Sequence, residues 1–326
     1  MSIEPEQVPG ASAFSPAAGG TLVAIGNFDG VHRGHAGVLA EAVSEARGRR
    51  LQAVLLTFHP HPRVVLGRAA PEALTPLERK LELLRRLQPE LHVVVEPFTP
   101  QLAQFSAQQF AELILVEQLA AKVVVVGDNF RFGRGRAGDL AGLRTLGARL
   151  GFEAHAHELI GDELGEFSST RIRRAVALGD VSAAWRLLGR PHALSGEVVP
   201  GDRRGRTLGT PTANLAPVEE ATPALGVYSC LVDRLDPSPI ALGVGVVNVG
   251  VRPTVGAGFS VEVHLLDFDA DLYGARLRVH LLERLREERR FAGVEALKEQ
   301  IELDVAAARL SAERLALVPG GDGAWF

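Results

Sequence analysis

Apolar residues in the first half of the chain fall into two alternating patterns. Short runs enriched in β-branched residues lie at 22–28, 52–58, 92–98 and 122–127, and a fifth is expected near 152–160. Between them, 36–43, 76–87 and 106–121 carry apolar residues at helical spacing. Continuous Val/Ile/Leu runs belong to strands buried on both faces, so this half is read as α/β, a doubly wound parallel sheet flanked by helices. Such sheets take ligands beyond the carboxyl ends of their strands, where strand order reverses. The turns at 26–35 and 127–138 both follow strands and are expected to face one crevice.

The stretch 168–188 is again helical in pattern and is closed by Gly189-Arg190-Pro191-His192. Beyond that break the period drops to two, at 195–199, 226–232, 241–249, 260–268 and 276–282, among Gly and Pro turns. This predicts a small antiparallel β-barrel. A last amphipathic helix, 294–315, is expected to plug or flank it. The expected organisation is a disordered tail over 1–20, an α/β domain over 21–188, a barrel domain over 189–316, and a second tail over 317–326.

Composition narrows the function. The 326 residues suffice for two cores. An apolar fraction of 46% excludes general disorder. A net charge of −4 offers no long-range attraction to nucleic acid or anionic lipid, so any bound anion is held by local groups. The lone Cys230 forms no intrachain disulfide, which points to a reducing compartment. The first twenty residues lack a signal-peptide pattern, and no apolar run approaches the roughly 20 residues of a membrane span. A soluble, cytoplasmic protein is expected. Nothing in the sequence specifies an oligomeric state.

The most informative stretch is Gly26-Asn27-Phe28-Asp29-Gly30-Val31-His32-Arg33-Gly34-His35. Glycines in a strand-to-helix turn let backbone N–H groups approach a polyanion, and two imidazoles three residues apart add donors. A tight turn with solvated histidines is the plainer reading. Thr57-Phe58-His59-Pro60-His61-Pro62 ends the second strand, and Gly127-Asp128-Asn129-Phe130-Arg131-Phe132-Gly133 follows the fourth. In the latter, aromatics suit a flat ring while Asn129 reads polar edges. Ser168-Ser169-Thr170-Arg171-Ile172-Arg173 begins a helix, where Ser or Thr can cap. Arg171 in a first turn is unfavourable beside the helix dipole unless an anion lies there. No Gly-x-x-x-x-Gly-Lys-Ser/Thr appears, so a nucleoside triphosphate would be held without a P-loop.

In the second half, Gly201-Asp202-Arg203-Arg204-Gly205-Arg206 reads as a flap over phosphates. Thr212 and Asn214 offer neutral oxygens for a hard cation such as Mg²⁺. Glu262 lies on a strand whose neighbours point away from it. It can take a proton from an attacking hydroxyl, although spacing alone favours a solvated outward residue.

Taken together with Pro211-Thr212-Ala213-Asn214, the stretch 248–254 and Asp271-Leu272-Tyr273-Gly274, these motifs match in order and spacing over about 21–310. The chain resembles the prokaryotic bifunctional riboflavin kinase/FAD synthetases. The resemblance implies a Rossmann-like N-terminal FMN adenylyltransferase and a C-terminal riboflavin kinase barrel. Their substrates would be riboflavin, FMN and ATP, with Mg²⁺ and with neither nucleic acid nor membrane as partner. By the family pattern, Gly26, Asn27, Phe28, Asp29, His32, His35, Ser169, Thr170 and Arg171 serve ATP in adenylyl transfer. Pro60, His61, Asn129 and Phe130 serve the flavin, and Gly201, Arg204, Gly205 and Arg206 form the kinase nucleotide flap. Thr212 and Asn214 would bind Mg²⁺, Glu262 would be the kinase base, and His32 and His35 would act in adenylyl transfer. Two residues depart from the pattern. His59 stands where an acidic residue is usual, and Thr210 where Phe is usual. A kinase with a degenerate first domain is the alternative.

Overall fold

The structure, a computed structural model, describes residues 10–201, 210–251, 259–320 and 324–326. The chain divides into two compact units. Unit 1 takes the chain to Pro71 and then Thr75–Ser168, and unit 2 comprises Glu72–Leu74 and Ser169–Phe326.

Unit 1 is a five-stranded sheet ordered β3-β2-β1-β4-β5. Its strands are β1 (Thr21–Ile25), β2 (Gln52–His59), β3 (His92–Pro97), β4 (Ala121–Val126) and β5 (Glu153–Ala156). Every neighbouring pair is parallel, and order reverses between β1 and β4. Helices α1 (Arg33–Arg49), α2 (Pro62–Val65), α3 (Leu77–Leu87), α4 (Ala107–Gln109, continued by π-helical Phe110–Gln118) and α5 (Leu140–Leu150) connect them. Two apolar layers result: Val23, Val54 and Val124 pack with Phe110, Ile114 and Leu143, while Leu22, Leu55 and Val123 pack with Leu39, Val43 and Leu84. Alternate residues of each strand thus face opposite layers, which is why the runs read as unbroken apolar sequence. A short hairpin, β6 (Gly161–Asp162) with β7 (Gly165–Glu166), ends the unit.

The tail expected over 1–20 is corrected for its described part. A 3₁₀ turn, Ala11–Ala13, carries a fully buried Ala11, whose N–H donates to the Glu96 carboxylate at 2.6 Å.

Unit 2 opens with α6 (Ser169–Ala177) and α7 (Val181–Leu188), separated at Gly179, where φ is 74°. A closed antiparallel barrel follows, ordered β10-β11-β12-β9-β8-β13. Its strands are β8 (His192–Val199), β9 (Ala213–Ala216), β10 (Gly226–Arg234), β11 (Ile240–Val251), β12 (Phe259–Leu265) and β13 (Arg276–Glu287). Tyr228, Cys230, Val232, Val247, Val261 and Val279 fill the interior. Helix α8 (Val294–Leu315) flanks the barrel instead of plugging it, and Ser311 meets Ser229 of β10 through a 3.1 Å hydroxyl contact. Covered on both faces, β10 is buried from Gly226 to Asp233. Arg286 grips Asp304 of α8 with two guanidinium nitrogens at 2.9–3.1 Å.

By packing, the chain divides at Ser168/Ser169, because α7 packs against the barrel and Val181 joins its core. The C-terminal tail is also corrected for residues 324–326. Ala324 is buried, the Trp325 N–H donates to Asp233 at 3.0 Å, and the Phe326 ring lies over His280 and against Trp185. Asp233 and His280, both fully buried, pair at 2.8 Å beneath it.

Candidate functional site

In unit 1 the β1–α1 turn is unusually bent. Gly30 has φ 86°, and the non-glycine Phe28 and Val31 also sit at positive φ, 49° and 39°. For Val31, a β-branched residue, such a conformation costs about 1–3 kcal/mol and persists only where surroundings impose it. Those surroundings are visible. Thr75 N–H and Oγ1 reach Asp29 Oδ1 at 3.1 and 3.3 Å, and the Gly30 N–H donates to Thr75 Oγ1 at 3.1 Å. Lys80 Nζ and Thr57 Oγ1 both donate to the Asn27 carbonyl, at 2.9 and 3.3 Å.

The turn delivers the chain into α1 through a cap built from the two histidines. His32 Nδ1 accepts the His35 N–H at 3.2 Å, and His35 Nδ1 accepts the His32 N–H at 3.4 Å. The rings stack with centroids 3.5 Å apart. This is a capping box with imidazoles in place of Ser and Glu. It also fixes chemistry: a backbone N–H at each Nδ1 puts the proton of the neutral ring on Nε2, so each ring is set as an Nε2–H donor.

A cavity of about 650 Å³ opens at the carboxyl ends of all five strands, at the switch point. Gly26, Asn27, Phe28 and His35 line it from β1, His61 from β2, Asn129 and Phe130 from β4, and His157 from β5. The Asn27 amide meets His61 Nε2 at 3.2 Å. The floor is aromatic: Phe58 packs edge-on to Phe98 with centroids 5.8 Å apart, and Phe130 stacks on Phe132 at 5.4 Å. Among the described residues, four arginines, Arg63, Arg68, Arg131 and Arg136, border the cavity and no carboxylate lines it. On an acidic chain, this wall is built for an anion carrying a flat ring.

Not every expected residue faces the cavity. His32 is buried beneath His35, Asp29 is held by Thr75, and Pro60 lies outside the lining. Ser169, Thr170 and Arg171 open α6 and so belong to unit 2, not to the α/β unit where they were expected. The arginine border was not anticipated, and neither was Lys80, whose only sequence signal is its rarity among the cations.

In unit 2, register does what spacing left open. Glu262 of β12 stands opposite Asn214 of β9 on one side and Asn248 of β11 on the other. The three side chains therefore form one row on the barrel's outer face, while Val261 and Val263 point inward. Ser260 Oγ donates to Glu262 Oε1 at 2.8 Å, and Glu262 is half-buried, not simply solvated. Gly201 approaches closely enough that a Cβ there would lie 2.3 Å from the Asn214 amide. Two residues before Asn214, Thr212 lines a separate 400 Å³ cavity at the barrel mouth with Asp269 and Asp271. Of the flap, Gly201 is described, whereas Arg204, Gly205 and Arg206 lie outside the described residues.

Comparison with known proteins agrees with both units. Residues 15–171 match the FAD synthetase family model and 188–312 the riboflavin kinase model. A bifunctional riboflavin kinase/FMN adenylyltransferase of Escherichia coli strain K12 is 41% identical over 89% of this chain and 92% of its own length. The chain belongs to this family of bifunctional enzymes. The Pseudomonas fluorescens relative of the same name is 40% identical over 93% of this chain and 96% of its own. A crystal structure from Streptococcus pneumoniae, described as a macrolide-efflux protein, superposes with TM-score 0.80 at 30% identity, covering 93% of this chain and 97% of that one. Among the described residues here, no helix is long and apolar enough to cross a membrane.

Proposed function

We propose that unit 2 phosphorylates riboflavin with ATP to FMN, and that FMN is adenylylated with a second ATP to FAD and pyrophosphate at the unit 1 cavity. The observation that carries the reading is the reciprocal histidine cap beside an aromatic, arginine-bordered cavity at the sheet's switch point. An FMN phosphate oxygen attacks the α-phosphorus of ATP in line, and pyrophosphate leaves. Little covalent chemistry is asked of the protein, so alignment and charge stabilisation dominate. The Nε2–H group of His35, which lines the cavity, is assigned to the phosphate oxygens, and that of His32, stacked behind it, joins it only on the family pattern; Asn27 is assigned to the nucleotide, and His61, Asn129 and Phe130 to the flavin. Ser169, Thr170 and Arg171 carry the motif that the family uses for ATP phosphates.

In the kinase, Glu262 takes the proton of the ribityl hydroxyl as its oxygen attacks the γ-phosphorus of ATP, the bond to the β–γ bridging oxygen breaks and ADP leaves. Ser260 holds that carboxylate by donating to Oε1, and Asn214 and Asn248 flank it in register. The donors at hand, a Thr hydroxyl, an Asn amide oxygen and a nearby carboxylate, are the hard oxygens Mg²⁺ prefers, and the Gly201 approach leaves Asn214 a fixed cradle. Thr212 and Asn214 would hold the ion, which supplies charge neutralisation on the transferred phosphates. A cytoplasmic setting accompanies this reading, and the single thiol, Cys230, is fully buried with its pKa pushed up by desolvation.

The test is purified full-length protein with riboflavin, ATP and Mg²⁺, resolving FMN and FAD by chromatography. Both products are expected. FMN without FAD would support a kinase with an idle first domain, and neither product would refute the assignment.

A further inference from the structure

Lys80 is one of three lysines in the chain and sits in the first turn of α3, only 8% exposed. A buried ammonium is costly unless its donors are used and an opposite charge is near. Both conditions are met at the β1–α1 turn: Nζ donates to the Asn27 carbonyl at 2.9 Å, and the Asp29 carboxylate acts on it electrostatically. The same α3 entry supplies Thr75, which holds Asp29 and Gly30 from the other side of the bend. Asn27 and Phe28 line the cavity on one face of this turn while Lys80 grips it from beneath.

We infer that Lys80 is a positioning residue for adenylyl transfer, a buried cation that clamps the strained Asn27–Asp29 turn and so sets where Asn27 and the histidine cap meet the triphosphate. The inference rests on the functional reading above. Lys80 does not touch substrate, because its nitrogen lies under the turn on the Asn27 carbonyl. Its effect is on alignment, and misplacing reacting groups by about 1 Å can cost on the order of 100-fold in rate.

Protonation matters because only the ammonium form is held here by the Asp29 charge. Burial lowers the Lys80 pKa, and Asp29, the charged group facing it from the turn, opposes that shift. Thr57, facing it from β2, is neutral. A lowered lysine pKa means the charge is lost at a lower pH than usual as pH rises. Arginine at this position stays charged throughout.

The experiment uses full-length protein, assaying FMN to FAD and riboflavin to FMN on the same preparation. Lys80→Met is expected to lower kcat for FAD formation by about 100-fold with little change in KM for FMN, leaving riboflavin phosphorylation within about twofold. Wild type should lose FAD formation on an alkaline limb, and Lys80→Arg should recover activity with that limb moved to higher pH. FAD formation retained in Lys80→Met overturns the inference, as does an alkaline limb unchanged in Lys80→Arg. If Lys80→Met fails to fold, the Lys80→Arg profile alone decides. Absence of FAD formation in wild type would instead refute the functional reading.

Discussion

His32 has two separable duties, and replacing it tests which one matters to the reaction. As N-cap it accepts the His35 N–H at 3.2 Å, and as a buried ring it stacks on His35 with 4% of its surface exposed. Loss of an N-cap acceptor costs about 1 kcal/mol. Removing a buried, stacked ring adds roughly another 1 kcal/mol. His32→Ala should therefore lose about 2 kcal/mol, a fall in Tm of roughly 4–8 °C for a unit of this size. Serine is among the best N-caps, so His32→Ser should regain about half of that loss. Neither variant restores the Nε2–H donor. Both should lower FAD formation from FMN by at least about 100-fold, the usual cost of deleting one donor to a developing oxyanion. Thermal unfolding by circular dichroism and FAD formation, with riboflavin phosphorylation as internal control, give the two readouts. If His32→Ser regains FAD formation along with stability, the histidine is only a helix cap and its catalytic assignment is wrong.

Three other outcomes are expected. Glu262→Gln should lower riboflavin phosphorylation by about 10²–10⁴-fold, as for loss of a general base, while supplied FMN is still converted to FAD; retained kinase activity would remove Glu262 from its role. Asp304→Asn removes the charge that Arg286 and Gln300 share and should cost about 3 kcal/mol, read as loss of hydrogen-exchange protection in α8 and the facing strands. Gly133, at φ 71° with a would-be Cβ 2.6 Å from the Ala107 nitrogen, leaves no room for a side chain; Gly133→Ala should destabilise by more than about 1 kcal/mol and raise KM for FMN, measured by melting and by FAD formation.

Much of the fold was legible because burial imposes periodicity. The β2 run begins at Gln52 as expected and ends one residue later than expected, and α8 occupies the expected 294–315. Elements that burial does not mark strongly were missed. Helix α5 has few fully buried residues, although Asp139 caps its start and Gly151, at φ 84°, ends it. Strand β9 is only four residues long, and its sequence signals ligand-bearing residues without a strand pattern. The terminal segments were read as tails because isolated Ala11 or Phe326 has no period to detect, and their burial depends on partners far along the chain.

The amino-acid order by itself determined the two architectures and the motifs, since strand and helix periods and capping chemistry are local properties. It also placed two histidines three residues apart, which is the spacing of N-cap and N3. Only the tertiary structure decided that those rings cap each other through Nδ1 and so carry their protons on Nε2. Register alone put Glu262 between Asn214 and Asn248, residues 48 and 14 positions away in sequence. Folding likewise drew Lys80 beneath a turn 53 residues earlier, where desolvation gives a single ammonium an influence that no local pattern encodes.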